Sequence, residues 1–224
     1  CGMNYLRQAF SWLTDSSNWS GASGIPARIG EHLLITAIVV GLAAAIAVPV
    51  GVLVGHTRRG AAAVGAVTGA ARSIPTLGLL TVFGLAFGIG LKAPVLALVI
   101  LAIPSLLAGT YAGIQAIDPA IPSAAKAVGM SPAQVIGKVE IPLALPVIVG
   151  GIRAAVLQVI ATATLAAYIS DTGLGRYLFS GLKSRDYTQM LGGAFVVILL
   201  ALLMEVILAS LQRAATRIAD PTGK

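Results

Sequence analysis

Charged residues are scarce in this sequence. Asp, Glu, Lys and Arg make up only 10% of its 224 residues, whereas 57% are hydrophobic. A soluble domain usually carries about 25% charged residues, so most of the surface of this protein does not face water. The apolar residues stand in separate blocks, each close to the roughly 20 residues that cross a bilayer as a helix, and they do not alternate as barrel strands do. We therefore predict an all-α integral membrane protein with about five transmembrane helices.

Cysteine and histidine are also rare. The single Cys1 excludes an internal disulfide bond and a multi-cysteine metal site. We expect Cys1 and Gly2 to precede a natural start at Met3, with a lipidated Cys1 as the alternative. His32 and His56 lie at opposite ends of the first apolar block, as interfacial residues commonly do, and therefore cannot share a metal within one chain. No nucleophile stands beside a base, so we expect neither a metal site nor an enzyme activity on this chain.

A phosphate-binding loop is missing as well. Neither Gly137-Lys138-Val139 nor Gly223-Lys224 fits the pattern Gly-x-x-x-x-Gly-Lys-Ser/Thr. We therefore expect no cofactor on this chain, and ATP and Mg²⁺ would be bound by another polypeptide. The net charge of +7 fits basic loop residues that set membrane topology, and no basic patch with stacking aromatic residues indicates nucleic acid.

Five apolar blocks predict the transmembrane spans. The second block is too long for a straight helix and contains Pro75, which lacks a backbone donor and should kink the helix. We predict an interfacial segment over 1–32, a transmembrane domain over 33–213 and a tail over 214–224. The predicted spans are 33–55, 61–90, 93–113, 147–169 and 190–211, with a polar loop over 114–146 between the third and the fourth.

Five spans place the two termini on opposite sides of the membrane. The basic residues of the first loop, of the loop over 114–146 and of the tail fall on one side if the N-terminus is outside. Basic residues favour the cytoplasmic side, although the bias is modest because the other side keeps basic residues too. We predict an outside N-terminus and a cytoplasmic C-terminus.

The loop over 114–146 is too polar to span the membrane, and it carries signals for short helices. Asp118 can cap a helix that has Pro119 at its first position. Gly129 is typical of the residue just past a helix end. We therefore predict a short helix over 120–128.

A second cap signal follows at Ser131-Pro132 and predicts another short helix through about Lys138. Pro142 and Pro146 mark the return to the membrane. We expect two short helices at a sharp angle, on the side predicted to be cytoplasmic.

The residues of this loop also have a specific spacing. Ala124-Ala125 is followed after three residues by Gly129 and, after nine more, by the run VEIP that ends at Pro142. This resembles the coupling loop of permease subunits in bacterial ATP-binding-cassette importers, whose helix docks in a groove of the ATPase. The family has an acidic residue at the leading position, where this chain has Ser123. The resemblance implies an ATPase-coupling site formed by Ser123, Ala124, Ala125, Gly129, Met130 and Pro142, with the small alanines allowing close approach.

The resemblance covers nearly all of residues 30–212. The run 73–77 (SIPTL) looks like the proline-centred second span of the glycine betaine/carnitine/choline permeases, and 110–114 (TYAGI) is similar to the end of their third span. The run 161–169 (ATATLAAYI) with the following GLG is similar to their fourth span and the next loop. That family often has Asn before the Thr-Tyr pair, where this chain has Gly109.

This likeness implies the type I importer permease fold, also called MetI-like. It implies a permease subunit of an ATP-driven importer of betaine, choline or carnitine type in the bacterial cytoplasmic membrane. The partners would be a second permease subunit, identical or related, two ATPase subunits, an extracytoplasmic solute-binding protein and the lipid bilayer. Closure of the ATPase subunits would pull the coupling loops together and open the pathway between the two permease subunits to the outside.

Polar and charged residues within the spans are candidates for a pathway or an ion pair. The proposed lining residues are Ser73, Pro75, Thr76, Tyr111, Thr162 and Thr164. Arg72 and Glu205 lie at roughly 16 and 12 Å from the cytoplasmic ends of their predicted spans. We predict that they form a salt bridge within one chain or across a dimer, with snorkelling to the interface as the alternative.

Two other functions remain open from the sequence. An importer of the same architecture would carry another small solute, such as an amino acid. An ion-coupled secondary transporter or channel subunit would work without ATP, but it would predict several intramembrane carboxylates or a repeated half. A passive membrane anchor leaves the spacing of the coupling loop unexplained.

Overall fold

The computed structural model describes residues 2–219, including the side chains of residues 4–217. Regular structure in this part of the chain is entirely helical. The helices are α1 (Gly2–Thr14), α2 (Ile25–Thr57), α3 (Ala61–Ser73), α4 (Thr76–Phe87), α5 (Lys92–Gln115), α6 (Ala120–Ala127), α7 (Pro132–Val135), α8 (Ile141–Ser170), α9 (Gly175–Ser184) and α10 (Tyr187–Ala219). A 3₁₀ turn covers Ser16–Trp19, and a π-helical segment covers Ile136–Glu140. The expectations for Cys1 and for the end of the predicted tail, 220–224, fall outside the described residues.

Among the described residues, four helical runs are long and apolar enough to cross a membrane, and there are five if the bent pair α3 and α4 is one broken span. The four runs are Ile25–Thr57, Lys92–Gln115, Pro132–Ser170 and Tyr187–Arg217. The second predicted span, 61–90, is interrupted where a kink was expected. Pro75 has φ −67° and ψ 122°, an extended conformation, and a proline also disfavours the helical conformation of the residue before it.

Two helical segments lie outside the helices that the sequence predicts. α9 lies within 170–189, between the fourth and the fifth predicted spans. The second short helix of the coupling loop does not end at about Lys138, because the π-helical segment joins α7 to α8. The amide of Ile141 bonds to the carbonyl of Ile136, five residues back. This wider turn directly precedes Pro142, which has no N–H to donate to a regular helix.

The chain divides into two compact units, and the first has a core built around α9. It comprises the described residues up to Val39, together with Ile74–Val99 and Val156–Met204. Its buried cluster consists of Ile25, Leu174, Tyr177, Val196 and Leu200.

The N-terminal segment packs onto this core through Trp12. The rings of Trp12 and Tyr177 meet edge to face, with centroids 5.2 Å apart. The Tyr177 hydroxyl donates a hydrogen bond of 2.6 Å to the carbonyl of Ser23. Burial raises the pKa of the Tyr177 phenol, so this donor keeps its proton. Part of the predicted interfacial segment is therefore folded into the first unit.

The second unit comprises Val40–Ser73, Ile100–Ala155 and the described residues from Glu205 onward. Its buried cluster consists of Val52, Ile114, Ile117, Ala144 and Ile148. These residues come from α2, α5 and α8, at the helix ends that are predicted to face the cytoplasm, and from the start of the coupling loop. The cluster therefore fixes the base from which the coupling helices project.

Glycines spaced by four residues bring the helices of the second unit close together. A Cβ on Gly51 or Gly55 of α2 would lie 2.8 or 2.6 Å from a side-chain atom of α5, and a Cβ on Gly109 would lie 2.6 Å from the Cα of Gly151 in α8. Small residues at such spacing let helix backbones approach in membranes. Gly109 replaces the Asn of the resembling family at a point where no side chain fits.

Glu205 is paired with Arg153 and not with Arg72. Arg153 donates from Nε to Glu205 at 2.8 Å, its Nη2 bonds to the second carboxylate oxygen, and its Nη1 donates to Gln212 at 2.9 Å. Arg72 is exposed and forms no ion pair with another described residue. The Arg72–Glu205 pair within one chain is therefore wrong, because a guanidinium on α8 already satisfies the carboxylate; a pair between two copies stays a prediction.

We expect the Gly109→Ala variant to be less stable, by about 1–3 kcal/mol, because the added Cβ would push α5 away from α8. The measurement is thermal unfolding of the detergent-purified chain, followed by the loss of its monodisperse chromatography peak. Gly41→Ala is the matched control, since a Cβ at Gly41 meets nothing within 4 Å. Equal midpoints for the two variants would contradict the close helix contact.

Candidate functional site

The first coupling helix, α6, begins where the sequence predicts. Asp118 accepts a hydrogen bond of 2.9 Å from the amide of Ala120. Pro119 already has helical dihedral angles, φ −55° and ψ −25°. The helix predicted over 120–128 is confirmed by α6, which spans Ala120–Ala127.

Gly129 ends α6 with a left-handed residue. Its φ is +92°, its amide donates to the carbonyl of Lys126 at 3.0 Å, and the amide of Met130 donates to the carbonyl of Ala125 at 3.2 Å. These two bonds form a Schellman motif, in which glycine is favoured because a side chain is strained at positive φ. Gly129 makes the turn that sends the chain toward α7.

The start of α7 is held by a capping box. The Ser131 hydroxyl accepts from the Gln134 amide at 3.4 Å, and the Gln134 side chain accepts from the Ser131 amide at 2.9 Å. Pro132 occupies the first turn. The predicted cap at Ser131-Pro132 is therefore confirmed, and both ends of the turn between the coupling helices are fixed by local bonds.

α6 presents an apolar stripe to its surroundings. Ile121 is 44% exposed and Val128 is 80% exposed, and Ala124 between them is also exposed. At spacing i, i+3 and i+7 these three residues share one face of the helix. Ser123 is exposed on another side of the helix. We call Ile121, Ala124 and Val128 the coupling stripe.

Ala125 has a different environment from Ala124. It is only 9% exposed, because its side chain faces the interior of the second unit. The resemblance assigned both alanines to close approach toward a partner, and the structure leaves that surface to Ala124. Ala125 instead allows α6 to pack against its own chain.

Two side chains at the end of α2 hold both ends of the coupling segment. His56 donates from Nδ1 to Glu140 at 2.7 Å, and the two side chains are only 14% and 5% exposed. Arg58 donates from Nη2 to the carbonyl of Ile117 at 2.6 Å. The segment from Ile117 to Glu140 is thus tied to the first span at its beginning and at its end.

Both histidines form hydrogen bonds within the protein, and their interfacial position stays a prediction. His32 is fully buried, with Nε2 3.0 Å from the carbonyl of Ile160, and His56 binds Glu140. One signal in the sequence indicated the contact between His56 and Glu140: Glu140 stands directly before an apolar run, where an unpaired carboxylate is costly. No signal pointed to the burial of His32, because its partner is a backbone carbonyl.

The predicted lining residues are divided between the two units. Ser73 and Tyr111 belong to the second unit, whereas Pro75, Thr76, Thr162 and Thr164 belong to the first. The hydroxyl of Ser73 donates to the carbonyl of Ala70, that of Thr162 to Gln158 and that of Thr164 to Ala161, at 2.7–2.8 Å. Each of these hydroxyls therefore donates its hydrogen bond within its own helix. Their role in a pathway stays a prediction.

The described residues offer no ready site for a metal ion. Between residues 2 and 219, no three His, Cys, Asp or Glu side chains come together as ligands. The geometry does supply an exposed apolar stripe on a short helix, and the segment that carries this helix is bonded at both ends to side chains at the end of α2.

Comparison with known proteins connects this arrangement to a family. Residues 34–217 match the model of the family "binding-protein-dependent transport system inner membrane component". The chain is 36% identical to the glycine betaine/carnitine/choline transport system permease protein OpuCB of Bacillus subtilis, over 84% of this chain and 87% of that protein. It is 35% identical to the osmoprotectant import permease protein OsmW of Salmonella typhimurium, over 81% of this chain and 87% of that protein.

Solved structures agree on the fold. A chain of the inward-facing MetNI methionine ABC transporter superposes with a TM-score of 0.75 at 24% identity, covering 86% of this chain and 96% of that chain. The predicted all-α, MetI-like membrane fold is therefore confirmed. The protein belongs to the family of inner membrane components of binding-protein-dependent transport systems.

Proposed function

We propose that this chain is the permease subunit of an ATP-driven importer for osmoprotectants of the glycine betaine, choline and carnitine type. The observation that carries the proposal is the coupling stripe, which lies on a helix whose two ends are built by specific local bonds. The curated relatives, 33–36% identical over most of the chain, are named as permeases for these solutes. This supports both the subunit type and the class of solute.

The partner for the coupling stripe is an ATPase subunit. An apolar stripe of Ile121, Ala124 and Val128 on a membrane-protein loop is costly in water and is typical of a docking surface. The chain lacks a phosphate-binding loop, so ATP and Mg²⁺ belong on that subunit. By the family resemblance two ATPase subunits serve the complex, and a solute-binding protein outside delivers the cargo.

A second permease subunit, identical or related, completes the pathway. α3 buries only Val64, and α4 buries only Leu80, so most of both helices lacks cover from the described chain. The run around Ser73, Pro75 and Thr76 lies at the break between these helices. We place this broken span at the pathway between the two permease subunits.

The ties at the end of α2 transmit the motion. When ATPase closure moves α6, the bond from Arg58 to Ile117 and the bond from His56 to Glu140 carry the displacement to the first span. Glu140 lies in the π-helical segment, and such segments often occur at functional sites. His56 and Arg58 are therefore positioning residues for coupling.

The membrane orientation follows from this assignment. α6 must face the cytoplasm to reach an ATPase, which places the C-terminus inside and the N-terminus outside. The membrane is the bacterial cytoplasmic membrane. The basic residues near the coupling loop are on the side that the positive-inside rule prefers.

No observation favours the two alternatives. The likeness to the methionine importer is at 24% identity and supports the fold without indicating the solute. An ion-coupled transporter would need an intramembrane carboxylate that is free to bind a proton or a cation, and Glu205 is bonded to Arg153.

We expect the chain, co-expressed with its ATPase and solute-binding protein in proteoliposomes, to import glycine betaine only when ATP is supplied to the ATPase side. The measurement is uptake of radiolabelled glycine betaine, with methionine as the competing amino acid. A chain that moves solute without the ATPase would contradict the proposal and favour a secondary transporter. Import of methionine but not betaine would overturn the solute class alone.

We expect Ala124→Glu to reduce the amount of ATPase that co-purifies with the chain by about tenfold or more, because an unpaired carboxylate would be buried at the docking surface. Ser123→Glu adds the same side chain one residue away and restores the acidic residue of the family, so we expect it to retain the ATPase. The measurement is affinity purification from membranes, with insertion checked by chain abundance. Equal loss in both variants would argue against a specific stripe.

We expect His56→Ala to keep the ATPase bound but to reduce ATP-driven uptake by about fivefold or more, because the end of the coupling segment loses its tie to α2. Thr57→Val is the matched control, since the Thr57 hydroxyl bonds only to its own helix, at 2.9 Å. Uptake and ATPase activity are measured on the same preparation. Wild-type uptake by the His56→Ala variant would remove this tie from the mechanism.

A further inference from the structure

A cavity of about 1110 Å³ lies within the first unit, and none of the predicted lining residues forms its wall. Its walls come from α4, from the end of α8 and from α9. This volume is slightly above the roughly 300–1,000 Å³ of small-molecule pockets. A solute as small as an osmoprotectant would therefore enter it together with water.

Two aromatic rings form part of the wall. Tyr168 and Phe179 stand with ring centroids 5.6 Å apart and planes inclined by 52°. Tyr168 is 62% exposed, so its ring is available to a ligand. Aromatic faces attract cations, and quaternary ammonium groups are recognised by cages of such rings.

Charged groups of both signs line the same cavity. Asp171 and Arg176 form an ion pair, and Lys183 also lines the wall. Among the described residues Lys183 has no ion-pair partner. With one carboxylate and two cations, these lining groups carry a net positive charge, which disfavours a ligand that is only a cation.

The rim of the cavity is held in place by two side chains of α2. Asp171 has φ +57°, a strained value for a residue with a side chain. Arg28 donates to the Asp171 carbonyl at 3.1 Å, and the amide of Gly173 donates to Glu31 at 2.9 Å. These bonds fix the connection between α8, which carries Tyr168, and α9, which carries Phe179 and Lys183.

We propose that this cavity binds a zwitterionic quaternary-ammonium solute such as glycine betaine. The methylated ammonium lies against the rings of Tyr168 and Phe179, and the carboxylate of the solute faces Lys183. The inference rests on the proposed function and adds to it a solute site on the permease itself. It also sets an order of preference: betaine, which brings its own carboxylate, binds more tightly than choline, which does not.

The test is binding to the full chain in lipid nanodiscs, with glycine betaine and choline as probes and saturation-transfer difference NMR of the N-methyl protons as the readout. We expect signal from betaine in the wild type and about fivefold or more weaker binding in the double variant Tyr168→Leu, Phe179→Leu. Tyr168→Phe keeps the ring and should bind as the wild type does. Tyr187→Leu is the matched control, because Tyr187 forms a separate ring pair with Tyr5, at 6.2 Å.

A separate variant tests the proposed contact between the solute carboxylate and Lys183. Lys183→Gln should weaken betaine binding about threefold or more and leave choline binding unchanged or tighter, since choline has no carboxylate to lose a partner. Arg185→Gln removes a nearby exposed cation that does not line the cavity and should change neither. Choline binding as tight as betaine in the wild type would overturn the proposed zwitterion preference.

Uptake by the assembled complex separates this inference from the proposed function. A wild-type complex that imports no betaine contradicts the proposed function, whatever the nanodiscs bind. A wild-type complex that imports betaine, with unchanged binding and unchanged KM in the double variant, contradicts the cavity site alone. A raised KM for uptake in the double variant, together with weaker betaine binding by that variant in the NMR experiment, supports both proposals.

Discussion

The contact between Gly109 and Gly151 sets the spacing of the second unit. Lipid offers no hydrophobic drive for helices to associate, so close backbone contact and packing must hold them together. A Cβ at Gly109 would lie 2.6 Å from the Cα of Gly151 and push α5 away from α8, and both helices contribute to the buried cluster, through Ile114 and Ile148. The carbonyl that Arg58 binds belongs to Ile117, so the support of the coupling helices depends on this glycine contact.

Two carboxylates of this framework, Glu140 and Glu205, each have a defined partner. Glu140 is nearly fully buried and would be expensive without the imidazole of His56. Glu205 is satisfied by a two-bond contact with Arg153, the geometry in which a guanidinium binds a carboxylate best. Such pairs make the carboxylates structural. They hold neighbouring helices in register.

Local sequence signals predicted the coupling helix well and long-range pairs poorly. α6 and its turn follow from Asp118, Gly129 and Ser131, whose bonds reach only two to five residues along the chain. The Arg72–Glu205 pair was inferred from depth alone, and depth does not tell which face of a helix a side chain occupies. The four-residue glycine spacing in α2 and α5 was readable in the sequence and would have indicated which helix faces meet.

A solute site on a permease must be weak, because cargo that binds tightly does not leave. The ring of Tyr168 is more than half exposed, and the charges of Asp171 and Arg176 are open to solvent, where water and salt screen them. Each attraction is therefore modest, and the discrimination depends on the difference between solutes rather than on total affinity. The net positive charge of the cavity wall supplies this difference between solutes. It costs a zwitterion little, because the carboxylate of the zwitterion offsets the repulsion that its ammonium meets, and it leaves a simple cation such as choline without that compensation.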